Sequence, residues 1–281
     1  MSSNVSLWDN KIHVIYVVEL VFYSCVLCGA VAAMFRQASK FRASYLSTIS
    51  ILKIAGLGIC LHAAIQTVAA TNDQNTSEEP SAGLVTAGSI MIALATAPLL
   101  ELTKSYAFSR DANVRVVSLS RTGVIAGVAL SIAGYSMWSQ GNSSSGTGIS
   151  LVKAASIIYL ATYVFVVGFG TFQYVAQRQS SEKARNIALL TVFIAMPFFL
   201  IRFIYTIISS FALSTNLSAY HKFNIFNGDW KVYLGMFVVM EFVVELIYLA
   251  GLHVLITQEL RDRDLGYEST RDNSKSDYYD V

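Results

Sequence analysis

Apolar residues run in long stretches along this chain, and polar residues gather between them. Seven stretches are candidates to cross a bilayer, which takes about 20 residues of helix. They cover 12–35, 45–70, 83–100, 117–138, 149–176, 187–212 and 232–257. No period-two alternation survives between them, which argues against a membrane barrel. The pattern predicts an all-α membrane protein, a seven-transmembrane-helix bundle within residues 1–257. Residues 258–281 are charged and carry no apolar stripe, so a disordered cytosolic tail is expected there. Its end, Tyr278, Tyr279, Asp280 and Val281, reads either as solvated tail or as a sorting or phosphorylation signal.

Composition sharpens the picture. Of the 281 residues, 54% are hydrophobic and 14% charged, where soluble domains average about a quarter charged. That excludes a wholly disordered chain. The net charge of +2 is no footprint for nucleic acid. The apolar excess is more than a soluble core of this length buries.

Lys and Arg set the expected orientation. Arg36, Lys40 and Arg42 lie in the first connection, and Lys104, Arg110, Arg115 and Arg121 in or beside the third. Arg178, Lys183 and Arg185 lie in the fifth, and Arg261, Arg263, Arg271 and Lys275 in the tail. Against these fourteen, the other side holds Lys11, Lys222 and Lys231, with Lys153 near its interface. The N-terminus is therefore expected outside and the C-terminus in the cytosol. Four glycosylation sequons, at Asn4, Asn75, Asn142 and Asn216, all fall on the outer side. Trp8, Trp138 and Trp230 sit at outer helix ends, as an interfacial belt requires. Ala30-Val31-Ala32 resembles a signal-peptidase site, but the stretch before it is too long, Glu19 interrupts it and its positive flank follows it. Cys25, Cys28 and Cys60 lie within the first two spans and read as small packing residues.

The candidate chemistry is what remains charged inside the bilayer, where each charge costs on the order of 3 kcal/mol and needs a partner. Five residues qualify: Glu19, Lys53, Arg202, Glu241 and Glu245. At about 1.5 Å of rise per residue, Glu19 lies about 9 Å and Arg202 about 8 Å below the outer face, Glu241 about 14 Å, and Lys53 and Glu245 about 18 Å. Depth allows Arg202 to meet Glu19 or Glu241, and Lys53 to meet Glu245. Helical spacing adds Tyr16 and Tyr23 to the face of Glu19, Tyr205 and Ser209 to that of Arg202, and Tyr248 to that of Glu241 and Glu245. Pro197 and Pro98 are expected to kink the sixth and third spans. Three carboxylates stand against two cations. Either one glutamate is protonated at neutral pH, or a cationic group from a ligand completes the balance. The site then reads as a pocket for an amphiphilic cation or a proton-coupled solute, or as a buried ion-pair network that only fixes helix register. Small residues Gly123, Gly127 and Ser131 form a stripe on the fourth span, and Gly56 and Cys60 one on the second. These serve close packing within the chain or, for the fourth span, a homodimer.

Several seven-helix chemistries are argued against. The only lysine in the last span region is Lys231, at its mouth, so no retinal Schiff base is expected. His13, His62, His221 and His253 show no i, i+4 pair for a zinc hydrolase and no facing pairs for haem. No metal, cofactor or catalytic group is expected. The triplet and helix-seven motifs of rhodopsin-like receptors are missing.

The last two spans carry Ile201-Arg202-Phe203-Ile204-Tyr205 and Met240-Glu241-Phe242-Val243-Val244-Glu245-Leu246-Ile247-Tyr248. This resembles an uncharacterised fungal family of seven-helix integral membrane proteins, with an Arg-x-x-Tyr helix before a Glu-rich final helix ending in Ile-Tyr. It is distantly similar to fungal lipid-translocating exporter-like proteins, which are associated with resistance to sphingoid bases and aminosterols. Thr206-Ile207-Ile208-Ser209 stand where exporters tend to have a second arginine and a glutamate, and no aspartate follows Tyr248. The resemblance carries over Arg202 and Glu245. It implies a non-enzymatic protein of the plasma membrane or an endomembrane that handles a lipid or other amphiphile. A receptor-like signalling protein, or a structural or trafficking protein without ligand, are the alternatives.

Overall fold

The computed structural model describes residues 11–36, 40–72, 82–108, 114–139, 145–176, 183–214, 222–223 and 229–276. The four sequons, Trp8, His221 and the final tyrosines lie outside the described residues. Among those described, every regular element is helical. These are α1 (Lys11–Phe35), α2 (Lys40–Asn72), α3 (Ala82–Leu94), α4 (Thr96–Ala107), α5 (Val114–Ser139), α6 (Ser145–Ala176) and α7 (Lys183–Ala212). A single turn, α8 (Trp230–Tyr233), leads through a π-helical segment, Leu234–Val239, into α9 (Met240–Ser276). Seven spans are long and apolar enough to cross a membrane. The architecture is that of a multi-pass, all-α membrane protein.

The outer surface supports this reading. Phe35, Phe41, Val114, Phe172 and Val175 are each more than half exposed. Side chains of this size turned outward in such number belong against lipid rather than water. The interior holds aromatic and aliphatic residues together with the charged residues of the sequence reading.

The span limits differ from the expected ones chiefly at the third and the last span, and the third span is interrupted near Pro98, where a kink was expected. The third span runs to Ala107 rather than residue 100, bringing Glu101 and Lys104 into helix, where they pair one turn apart. It is also divided at Ala95. Pro98 causes this, since its ring clashes with the carbonyl of Leu94 four residues back. Pro197, by contrast, lies inside an uninterrupted α7. Finally, backbone helix continues from the last span to Ser276, where disorder was expected from residue 258. An established helix extends at little cost once nucleated, and the Gln, Glu, Leu and Arg residues after Thr257 do not break it.

Helices adjacent in sequence pack side by side, and α9 closes the bundle against α7 and α1. The small-residue stripes explain the tightest crossings. A Cβ at Gly127 would stand 2.5 Å from the Tyr159 ring, so α5 turns its stripe to α6 within the chain. This uses the face that a homodimer through the fourth span would need. A Cβ at Gly56 would stand 3.0 Å from the carbonyl oxygen of Gly88, so the glycine lets α2 approach α3. Cys60 is buried at that crossing, while Cys25 and Cys28 are exposed.

Contacts between helix ends fix the layout. Lys11 lies over the ring of Trp230, so α1 and α8 begin at the same end. At the opposite end Arg42 donates to the carbonyl of Ser105 at 3.0 and 3.3 Å and covers the ring of Tyr106. The start of α2 is thereby tied to the end of α4 with a cation.

Candidate functional site: a buried charge triad beside a cavity

Lys53 from α2, Arg202 from α7 and Glu241 from α9 meet in the core, none more than 1% exposed. Lys53 Nζ donates to Glu241 Oε2 at 2.7 Å, and Arg202 Nη2 to Glu241 Oε1 at 3.2 Å. One carboxylate thus carries two cations. Such an arrangement holds in low dielectric only if every charge keeps its partner. Thr96, the first residue of α4, accepts a second bond from Arg202 Nη2 at 3.2 Å. The break before Pro98 places that hydroxyl.

Aromatic rings complete the enclosure. Phe237 lies 5.0 Å from Lys53 Nζ and 5.1 Å from the Arg202 guanidinium carbon, so one ring serves both cations. Tyr23 flanks Lys53 and Phe199 flanks Arg202. Phe237 was not singled out in the sequence. It belongs to the π segment, whose wider turn rotates the helix before Glu241, and π turns concentrate at functional sites. A run of ordinary apolar residues carries no mark of a π turn.

The other expected site residues divide between this centre and its surroundings. Glu19 is buried and accepts from the Tyr233 hydroxyl at 3.2 Å, while its other oxygen has no hydrogen bond. Glu245 lies one turn below Glu241, fully buried, and neither of its oxygens is hydrogen-bonded. The pairings of Lys53 with Glu245 and of Arg202 with Glu19 therefore do not form, because Glu241 takes both cations. Depth counted along each helix axis ignores tilt and rotation. Glu241 and Glu245 differ by only about 6 Å of rise, so modest tilts decide between them. Tyr205 is buried among Tyr233, Phe237 and Phe223, its hydroxyl without a hydrogen bond. Tyr248 belongs to a separate cluster: its hydroxyl pairs with that of Thr103 at 2.8 Å, and its carbonyl accepts from Tyr106 at 3.0 Å.

A cavity opens beside the triad. Its volume is about 70 Å³, space for roughly five waters. Tyr16, Cys60, Ser89, Ser131, Tyr135, Ser156, Thr206 and Tyr233 contribute to its wall, with Arg202 and Thr96 beside the triad. All eight wall residues come from the half of their spans nearest Lys11 and Trp230, the end expected to face outside. Nine of the sixteen lining residues carry hydroxyls, and Arg202 is the only charged one among the described residues.

The sequence model of a family described as a domain of unknown function, DUF7702, matches residues 10–255. The chain belongs to that family. The DUF7702 region takes in six spans and most of the seventh, with the triad and every residue lining the cavity. No curated protein and no solved structure matches the chain.

Proposed function

We propose that this DUF7702 protein is a non-enzymatic membrane protein that handles a lipid or other amphiphile, with its N-terminus outside and its C-terminus in the cytosol. The observation carrying this reading is the cavity that reaches Arg202 of the buried Lys53–Glu241–Arg202 triad, its wall mostly apolar but set with hydroxyl-bearing side chains. A network needed only for helix register requires no space beside it. Here hydroxyl groups and a guanidinium border a space able to hold a small polar head, with apolar helix faces all around for a tail. Glu19, Glu245, Tyr205 and Tyr248 form the surrounding polar shell.

The test is reconstitution into vesicles containing fluorescently labelled lipids and single-chain amphiphiles, with a membrane-impermeant quencher added outside. Faster transfer between leaflets with the wild-type protein than with Glu241→Gln supports the reading. Transfer no faster than in protein-free vesicles for every amphiphile sinks it. A receptor also fits a cavity in the outer half. It would be favoured by ligand binding without transfer, together with ligand-dependent exposure of the cytosolic connections.

A further inference from the structure

We infer that the cavity receives an acidic, oxygen-rich head group, a phosphate monoester or a carboxylate, on the free edge of Arg202. The inference rests on the amphiphile-handling reading for the tail and adds the chemistry of the head. Counting charges along the sequence favours a cationic guest, but the arrangement in space favours the opposite sign. Glu241 is turned between Lys53 and Arg202, Glu19 is turned to Tyr233, and Glu245 does not line the cavity. Among the described residues, the one charge at the wall is a cation.

Arg202 also has donors to give. A guanidinium carries five N–H groups in a planar fork. Only Nη2 is engaged, with Thr96 and Glu241. Nε and Nη1 have no hydrogen bond, although the residue is 1% exposed. Phe199 and Phe237 take the region above the guanidinium, and Nε and Nη1 are themselves buried, so an acceptor reaches the in-plane edge when the cavity wall shifts to admit it. A two-oxygen acceptor matches that edge, as carboxylates and phosphates match arginine generally. Two further features agree. The Tyr159 hydroxyl, also in the lining, lies beside Ser131 and can turn its proton to a third oxygen. Thr96, the first residue of α4, adds a second hydroxyl to the same wall.

The experiment is saturable binding to the full chain in an uncharged maltoside detergent, followed by native mass spectrometry and calorimetry. The probes are dodecyl phosphate, dodecanoate, dodecylamine and inorganic phosphate. Dodecyl phosphate or dodecanoate should bind more tightly than dodecylamine. Tyr159→Phe should weaken that binding about tenfold, as loss of one hydrogen bond to a charged group does, with an unchanged melting midpoint. Arg202→Lys, which keeps the charge and loses the fork, should weaken it further; if that variant does not fold, Tyr159→Phe decides. Dodecylamine binding as tightly as the acidic amphiphiles overturns the inference and leaves the amphiphile reading standing. Unchanged affinity in Tyr159→Phe and in any folded Arg202→Lys overturns it as well. Inorganic phosphate binding as tightly as dodecyl phosphate upholds an oxyanion site but assigns it to a soluble ion, and the amphiphile reading then falls.

Discussion

Glu241 balances two buried cations, so its charge matters more than that of any other residue in the core. Glu241→Gln leaves Lys53 and Arg202 close together without a counter-charge. Breaking a buried ionic arrangement costs about 3–5 kcal/mol, and unfolding in mixed micelles should show a loss of that size. Glu245→Gln is the informative contrast. Neither Glu245 oxygen has a hydrogen bond to lose, so its stability should stay within about 1 kcal/mol of wild type. Equal losses in the two variants would mean that Glu245 shares the cations. At this scale the sequence shows which five residues need partners, because a charge within an apolar stretch is conspicuous. It does not show which partners they take: Glu241 and Glu245 differ by one helical turn, and only the packed helices select the upper one.

At the scale of elements, the helices are legible and their interruptions only in part. Pro98 announces a break, and the chain breaks three residues before it at Ala95. The π segment before Glu241 has no such marker. Deleting Gly235 should return that segment to α geometry and turn α8 by about 100° relative to α9. Tyr233 would then leave Glu19, and Phe237 would leave the two cations. A stability loss of about 2 kcal/mol or more is expected, read in the same micelle assay; an unchanged midpoint would mean the π turn has no structural role. The crossing of α5 on α6 gives a second test. Gly127→Val drives a side chain into the Tyr159 ring and should cost about 1–3 kcal/mol. Gly58→Ala, where nothing lies within 4 Å of the new carbon, should be neutral or stabilising by up to about 1 kcal/mol. A self-association assay should find the oligomeric state unchanged by Gly127→Val, since the stripe is already occupied within the chain.

For the whole molecule, orientation is the property with the clearest experimental reading. Arg42 at one end of the bundle and the Lys11–Trp230 contact at the other keep the charge bias of the sequence in three dimensions. A C-terminal tag should become accessible to antibody only once the membrane facing the cytosol is permeabilised, while an N-terminal tag should remain shielded in internal membranes. Glycosidase treatment should shift the wild type, and Asn142→Gln should remove at least part of that shift. A C-terminal tag on the lumenal side would reverse the topology and move the cavity to the cytosolic half.

Span number, approximate span limits and the asymmetry of positive charge are properties of the chain read in one dimension. They follow from side-chain transfer energies summed over about 20 residues, so the sequence alone determines them. The shared carboxylate of Glu241, the ring of Phe237 between two cations and the cavity on Arg202 depend on helix rotation and tilt. Those are set by where small residues let backbones approach and where a proline or a π turn interrupts the helix. Single angstroms of such movement decide which polar groups meet, and no periodicity along the sequence records them.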